Sequence, residues 1–491
     1  MDIVDKLFVN NSHIDQTSVA VLERYNGEIS KVSYSSLLYL SRVIAATIEK
    51  ECSRDDRIAI LLPQGSQAYA SELAALFCGR VFCPIEQTYP DQRILYCLKD
   101  LNPKIVITDK AGASRIAALK LHTIIIDKIK GNPSTSPTPG EDAYIIYTSG
   151  STGNPKGVLV SRKSMNKFLE WSISFYEIKP GDRWAQFSSL GFDLSLIDIL
   201  TCLPSGGTLV PVSAKIDKML PGRFVKEFSI SVWHSVPSLI PLLLKDTDSA
   251  KDQLHSLRLA SFCGEPLYPQ QASALFSNIS NLSIVNTYGP TEGTFFCSAL
   301  IVDIELCSKI EMNSLPIGNP IPGWNFEFLP DKEEDHYELI IASDYISNGY
   351  VSSTPDQLRF GVGTNTRPNM PFYRTGDIVR LIDGHVFFVR RNDGEIKIHG
   401  NRLNLSEIEY QALQSGAKEA KAIICGEYIF LAVSLNDSSE TKLIKERLKL
   451  YLPRYAIPTD VIVLDALPRN DNSKIDTNML RRLINEKWRN P

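Results

Sequence analysis

At 491 residues the chain exceeds what one compact core usually holds, so more than one domain is expected. Hydrophobic residues make up 43% and charged residues 22%, the balance of a soluble globular chain. The net charge of −4 and the absence of long like-charge runs exclude a broad nucleic-acid-binding surface.

The opening MDIVDKLFVN carries an acid at once and lacks the basic-then-apolar order of a signal peptide. Short apolar runs follow, predicting strands at 57–62, 81–85, 104–108 and 123–127 and a helix at 67–77. The runs at 58–62 and 240–244 are far too short to span a bilayer, which takes ~20 residues. A Pro/Ser/Thr-rich spacer at 131–139 precedes an apolar strand at 143–147. From 316 to 389 strands dominate, at 337–341, 378–382 and 385–389, with Asp383-Gly384 a hairpin turn. Beyond 391 the pattern becomes helix 406–415, strand 429–434 and helix 441–450, a small α+β unit. The 9 cysteines form no C-x-x-C pair, which predicts reduced thiols and a cytoplasmic protein.

The strand at 143–147 runs into TSGSTGNPKG at 148–157. Glycines let backbone approach an anion, hydroxyls and N–H groups donate to phosphate oxygens, and Lys156 adds a point charge. The spacing fits neither a Walker loop nor a dinucleotide fingerprint, and a Ser/Gly-rich surface turn is the plain alternative.

This string resembles the phosphate loop of the acyl/aryl-adenylating superfamily, which includes acyl-CoA synthetases, luciferases and the adenylation domains of nonribosomal peptide synthesis. Further strings resemble its other motifs in the same order: NTYGPTE at 286–292, YRTGD at 373–377, RNDGEIKIHG at 391–400 and LPRNDNSKID at 467–476. GRVFCPIEQTYP at 79–90 resembles a structural motif of the amino-acid branch. The resemblance covers essentially the whole chain. It implies an α/β fold: a large N-terminal domain, 1–392, of two α/β subdomains plus a distorted β-barrel, and a small mobile α+β domain, 393–491.

Adenylation sends a carboxylate oxygen onto the α-phosphate of ATP and expels pyrophosphate, so the site must bring anions together with positive charge and aimed donors. The resemblance implies that Thr148, Ser149, Gly150, Ser151, Thr152, Gly153 and Lys156 cradle phosphate, with Thr148 also catalytic. It places Glu292 on Mg²⁺, where a hard cation takes carboxylate and phosphate oxygens. Tyr288 lies against adenine or is packed in the core; Asn286, Thr287, Gly264 and Glu265 complete the nucleotide site. Asp377 accepts from the ribose hydroxyls, the turn residue of a strand end being its alternative. Arg391 adds a donor, beside Arg390 where a glycine is usual. Lys474 is the expected catalytic lysine, bridging carboxylate and α-phosphate with a compact three-donor ammonium; otherwise it is a surface lysine near a chain end. Ser473 precedes it in place of a glycine.

FDLSLID at 192–198 resembles the amino-acid-binding segment, so Asp193 either takes the substrate ammonium or caps the following helix. Carried over from the family, the pocket wall is Leu194, Ile197, His234, Ser261, Cys263, Thr287, Phe295 and Phe296. Adjacent phenylalanines shorten it, although neighbours on a strand point to opposite faces. His234 hydrogen-bonds a polar substrate side chain or is a satisfied core histidine. The expected substrate is a small amino acid, and the strings FCGE at 262–265 and KIHG at 397–400 resemble D-alanine-activating ligases of wall teichoic acid modification.

Only 17 residues follow Lys474, too few for a carrier domain, so the acceptor is the phosphopantetheine thiol of a separate carrier protein, or coenzyme A. Asp393 is the expected hinge that turns the small domain from adenylation to thioester formation. The alternatives are an acyl- or aryl-CoA synthetase of the same superfamily and a regulatory protein with a dead site.

Overall fold

The structure is a computed structural model that describes residues 2–25, 27–150, 154–245, 254–310, 312–352, 354–364, 366–392, 395–398, 401–426, 428–435, 440–469 and 475–489.

The chain is α/β and is built on two mainly parallel sheets. The larger has nine strands in the order Asn319–Pro320, Ser298–Val302, Ser283–Tyr288, Leu259–Phe262, Val232–Ser235, Arg183–Gln186, Thr208–Pro211, Val19–Tyr25, Glu28–Ser33. Its middle is parallel and its margins antiparallel. The second has six strands in the order Thr123–Ile125, Ile105–Thr108, Arg57–Leu61, Val81–Pro84, Asp142–Thr148, Lys156–Ser161, parallel but for the last. Ile58 to Leu61 are all buried. That is why they read as an unbroken apolar run: helices cover both faces of a parallel strand. A shared core joins the sheets, with the helices Tyr34–Glu51 and Ser66–Phe77 packed between them. The first begins on Ser33, whose hydroxyl accepts from the Ser36 amide.

A third, antiparallel sheet of five strands (Asn325–Pro330, His336–Ala342, Pro371–Ile382, Phe360–Val362, His385–Arg391) follows, where the barrel is expected. Among the described residues its strands pair as an open, branched sheet. Asp383 and Gly384 both have positive φ, 50° and 78°, as the two-residue hairpin turn requires. After residue 391 come the hairpin Glu395–Ile398 and Asn401–Asn404 and a three-stranded sheet (Glu419–Cys425, Tyr428–Ser434, Asp460–Leu464) with helices Leu405–Leu413, Glu440–Tyr451 and Thr477–Arg489. These elements enclose apolar clusters of their own around Leu431 and Phe430.

The carboxyl ends of the parallel strands bring Thr148, Phe262 and Tyr288 toward one cleft, the usual place for a ligand on an open α/β sheet. All 9 cysteines are free thiols. Among the described residues no helix is long and apolar enough to cross a membrane.

Candidate active site

The cleft holds two adjoining cavities that share Gly264, Asp377 and Arg391 in their walls. The larger, about 320 Å³, is also lined by Glu265, Asn286, Thr287 and Tyr288. Cross-strand pairing sets Asp377 opposite Arg391. Arg391 Nη1 donates to Asp377 Oδ1 at 2.7 Å, and the Tyr288 hydroxyl donates to Oδ2 at 2.5 Å. Burial first, and then the Asp377 charge, push the Tyr288 phenol well above its ordinary range, so it stays a donor. Asn286 Nδ2 donates to the Pro316 carbonyl at 2.7 Å, and the Thr287 hydroxyl to the Phe262 carbonyl at 3.0 Å. Gly289 fits because a Cβ there would stand 2.4 Å from Phe296 Cα.

The smaller cavity, about 60 Å³, is lined by Thr148, Ser149, Asp193, Leu194, Cys263 and Phe295, with Arg93 and Tyr455 at its margin. The Thr148 and Ser149 hydroxyls are buried and have no partner among the described residues. Two buried donors turned to one cleft are suited to anionic oxygens. Asp193 is buried and opens the helix Asp193–Cys202, but Phe192 holds the N-cap position. Capping therefore does not explain Asp193.

Phe295 lies outside any strand: Thr294 and Phe295 have φ of 67° and 64°, and the strand begins only at Ser298. Strained backbone at bulky residues is held here by surrounding packing. The Phe295 ring rests on Phe168 at 4.6 Å and Tyr144 at 5.3 Å, while Phe296 packs on Phe168 at 4.8 Å and lines neither cavity. Alternation along a strand is thus not what separates the two rings.

Ile197, His234 and Ser261 also line neither cavity. His234 Nδ1 is 2.7 Å from Asp198 Oδ1, which also accepts from Trp184 Nε1 at 3.1 Å. Burial drives Asp198 up to about 6, against the pull of His234. Ser261 Oγ shares a 2.9 Å hydrogen bond with the Tyr176 hydroxyl. These groups form a polar layer behind the wall.

Glu292 is fully buried and accepts from the Tyr350 hydroxyl at 2.8 Å. Lys156, the cross-strand partner of Thr148, lies 3.3 Å from Glu292 and lines neither cavity. Arg390 lines the larger cavity and donates to Asp331 Oδ2 at 2.7 Å. Ser151, Thr152, Gly153, Asp393, Ser473 and Lys474 lie outside the described residues, as does the side chain of Lys397.

Sequence reasoning missed Arg93. Its Nη1 donates to Glu407 Oε1 at 2.5 Å, with both side chains 3% exposed. Burial opposes the guanidinium charge, and the Glu407 carboxylate together with Tyr455, Tyr89 and Cys97 outweighs it, holding Arg93 above its ordinary range. The pair ties the helix Asp91–Leu101 to the helix Leu405–Leu413 across 314 residues of sequence. Tyr455 adds a ring contact to Phe192 at 6.4 Å. No motif or spacing signals a contact of that range.

Residues 10–351 match the family model described as AMP-binding enzyme. The D-alanine–D-alanyl carrier protein ligase of Bacillus licheniformis is 30% identical, over 96% of this chain and 97% of that protein. The L-proline–[L-prolyl-carrier protein] ligase of Pseudomonas fluorescens is also 30% identical, over 93% and 95%. Among solved structures, the Vibrio cholerae adenylation domain AlmE, in complex with glycyl-adenosine-5'-phosphate, superposes with a TM-score of 0.83 at 22% identity, covering 99% of this chain and 97% of that one.

Proposed function

The chain belongs to the AMP-binding enzyme family and is an AMP-forming, ATP-using ligase, and from that premise we propose that it activates a small amino acid and passes it to the phosphopantetheine thiol of a separate carrier protein. The observation that carries this reading is Asp193, a buried carboxylate in the wall of a 60 Å³ cavity that opens onto the nucleotide-sized one. A carboxylate there fits an α-ammonium, a charge that a fatty or aryl acid does not bring. The small volume and the Phe295 ring leave room for the side chain of alanine, glycine, serine or proline. Carrier-protein ligases whose names carry D-alanine and L-proline align along nearly the whole chain, which supports the same class.

In this reading Asp377 accepts from the ribose hydroxyls, held by Arg391 and Tyr288, while Thr148 and Ser149 donate to phosphate. The carboxylate oxygen forms its bond to the α-phosphorus and pyrophosphate leaves; the thiol sulfur then displaces AMP at the carbonyl carbon. Lys474 bridges carboxylate and phosphate in the first step. Mg²⁺ would be held by Glu292, a buried carboxylate of the hard kind such a cation takes, together with nucleotide oxygens. Bound there, the cation would supply charge neutralisation for the leaving pyrophosphate. Residues 1–392 act as the core and 393–491 as a lid turning at Asp393. The free thiols and the need for ATP support a cytoplasmic setting in this reading.

A pyrophosphate-release screen over free L- and D-amino acids, their N-acetyl forms, and aryl and fatty acids tests the class. Turnover of small free amino acids alone is expected; turnover of aryl or fatty acids alone overturns it. Lys474→Ala should slow ATP–pyrophosphate exchange by ~10²–10³, the scale of one aimed donor.

A further inference from the structure

Lys156 belongs to the phosphate loop by sequence, yet its ammonium turns away from the cleft. Its side chain is 1% exposed and lies 3.3 Å from Glu292 Oε1 and 3.3 Å from Asp356 Oδ2. It also donates to the Tyr350 hydroxyl at 3.0 Å and stands over the Tyr350 ring, 4.6 Å from the centroid. Tyr350 in turn donates to the same Glu292 oxygen at 2.8 Å. Asp356 is buried, with Arg359 Nε 3.6 Å from its other oxygen. Tyr350 is brought to the loop by an antiparallel bridge to Val158.

A buried lysine paired with Glu292 alone would close an ion pair and spend the carboxylate's charge. Asp356 changes that balance, because the ammonium is shared between two carboxylates. Tyr350 then fixes the orientation of Glu292, since one hydroxyl touches both the lysine and the acid.

We propose that Tyr350 and Asp356 are positioning residues that share the charge and fix the place of Lys156, so that Glu292 is aimed and stays negative enough to hold the metal accompanying the nucleotide. This rests on the reading of Glu292 as the metal carboxylate. Lys156 then acts through Glu292 and not by touching phosphate.

The test is binding of a non-hydrolysable ATP analogue to the full chain by calorimetry, once with Mg²⁺ and once with a chelator. Asp356→Asn should cut the Mg²⁺-dependent gain in affinity about tenfold, because charge count sets cation affinity. Affinity in chelator should stay at the wild-type value, and Asp356→Glu should recover part of the gain. Tyr350→Phe removes one hydroxyl and should cut the gain roughly threefold, the worth of a modest hydrogen bond. If Asp356→Asn does not fold, Tyr350→Phe decides. A full gain in either folded variant, or equal losses with and without Mg²⁺, overturns the proposal. A wild-type chain that gains nothing from Mg²⁺ overturns instead the metal reading of Glu292. Neither arm needs an amino acid, so failure of the substrate assignment is read separately.

Discussion

The larger cavity of the cleft, its proposed nucleotide side, and the smaller, its proposed acyl side, satisfy their polar groups in opposite ways. On the nucleotide side both Asp377 oxygens are engaged, by Arg391 and Tyr288, and Asn286 is tied to the Pro316 carbonyl. In the smaller cavity Thr148 and Ser149, the proposed phosphate donors, keep buried hydroxyls without partners among the described residues, and a strained Phe295 closes the space beside Asp193. A pre-paired site binds one invariant ligand at little reorganisation cost. The other side holds its donors in reserve for atoms that arrive with the substrate, and there a single residue changes identity more than affinity.

The comparison breaks most sharply at Asp193. Asp193→Ala should lower kcat/KM for the amino acid by ~10²–10³, because the proposed ammonium contact loses its carboxylate. KM for ATP should stay within about twofold, since Asp193 lines only the smaller cavity. Pyrophosphate-exchange kinetics at varied amino acid and varied ATP separate the two, and an equal loss in both would mean that the cavities act as one site.

The converse variant sharpens the same contrast. Asp377→Asn keeps the size of the residue but removes charge from its bonds to Arg391 and Tyr288. KM for ATP should rise roughly tenfold to thirtyfold, the worth of about 1.5–2 kcal/mol in a charge-assisted hydrogen bond. The order of preference among amino acids should not change, which a competition screen under saturating ATP would check.

Legibility in the sequence follows the same division. Parallel strands announced themselves as unbroken apolar runs, and the predicted 57–62 and 143–147 correspond to Arg57–Leu61 and Asp142–Thr148. Asp383-Gly384 announced a hairpin that Ile382 and His385 close. The residues Gly264, Glu265, Asn286, Thr287, Tyr288, Asp377 and Arg391, each in a compact string, do line one cavity. The acyl wall was less legible: Ile197, His234, Ser261 and Phe296 stand one layer back, and a string cannot tell the lining layer from the layer behind it. Lys156 was read as a phosphate contact because its loop is local, while the groups that hold it, Tyr350 and Asp356, lie 194 and 200 residues away. Burial and charge balance decide such contacts, and neither has a spacing in sequence.

The smallest effect expected concerns Arg93, which borders the acyl cavity and pairs with Glu407 beyond the proposed hinge. In the proposed reading, in which 393–491 turns as a lid, this buried ion pair is a contact made in one orientation and given up in the other. Removing a partner from a buried pair can cost ~3–5 kcal/mol, but Glu407→Gln keeps an acceptor for Arg93, so about 1 kcal/mol is expected. That corresponds to a change of roughly fivefold in the ratio of adenylation rate to thioester-forming rate. Single-turnover assays of the two half-reactions measure it, with the melting temperature as control. Equal slowing of both would make the pair a plain structural tie; a shifted ratio at unchanged melting temperature would make the acyl side a site completed by the lid.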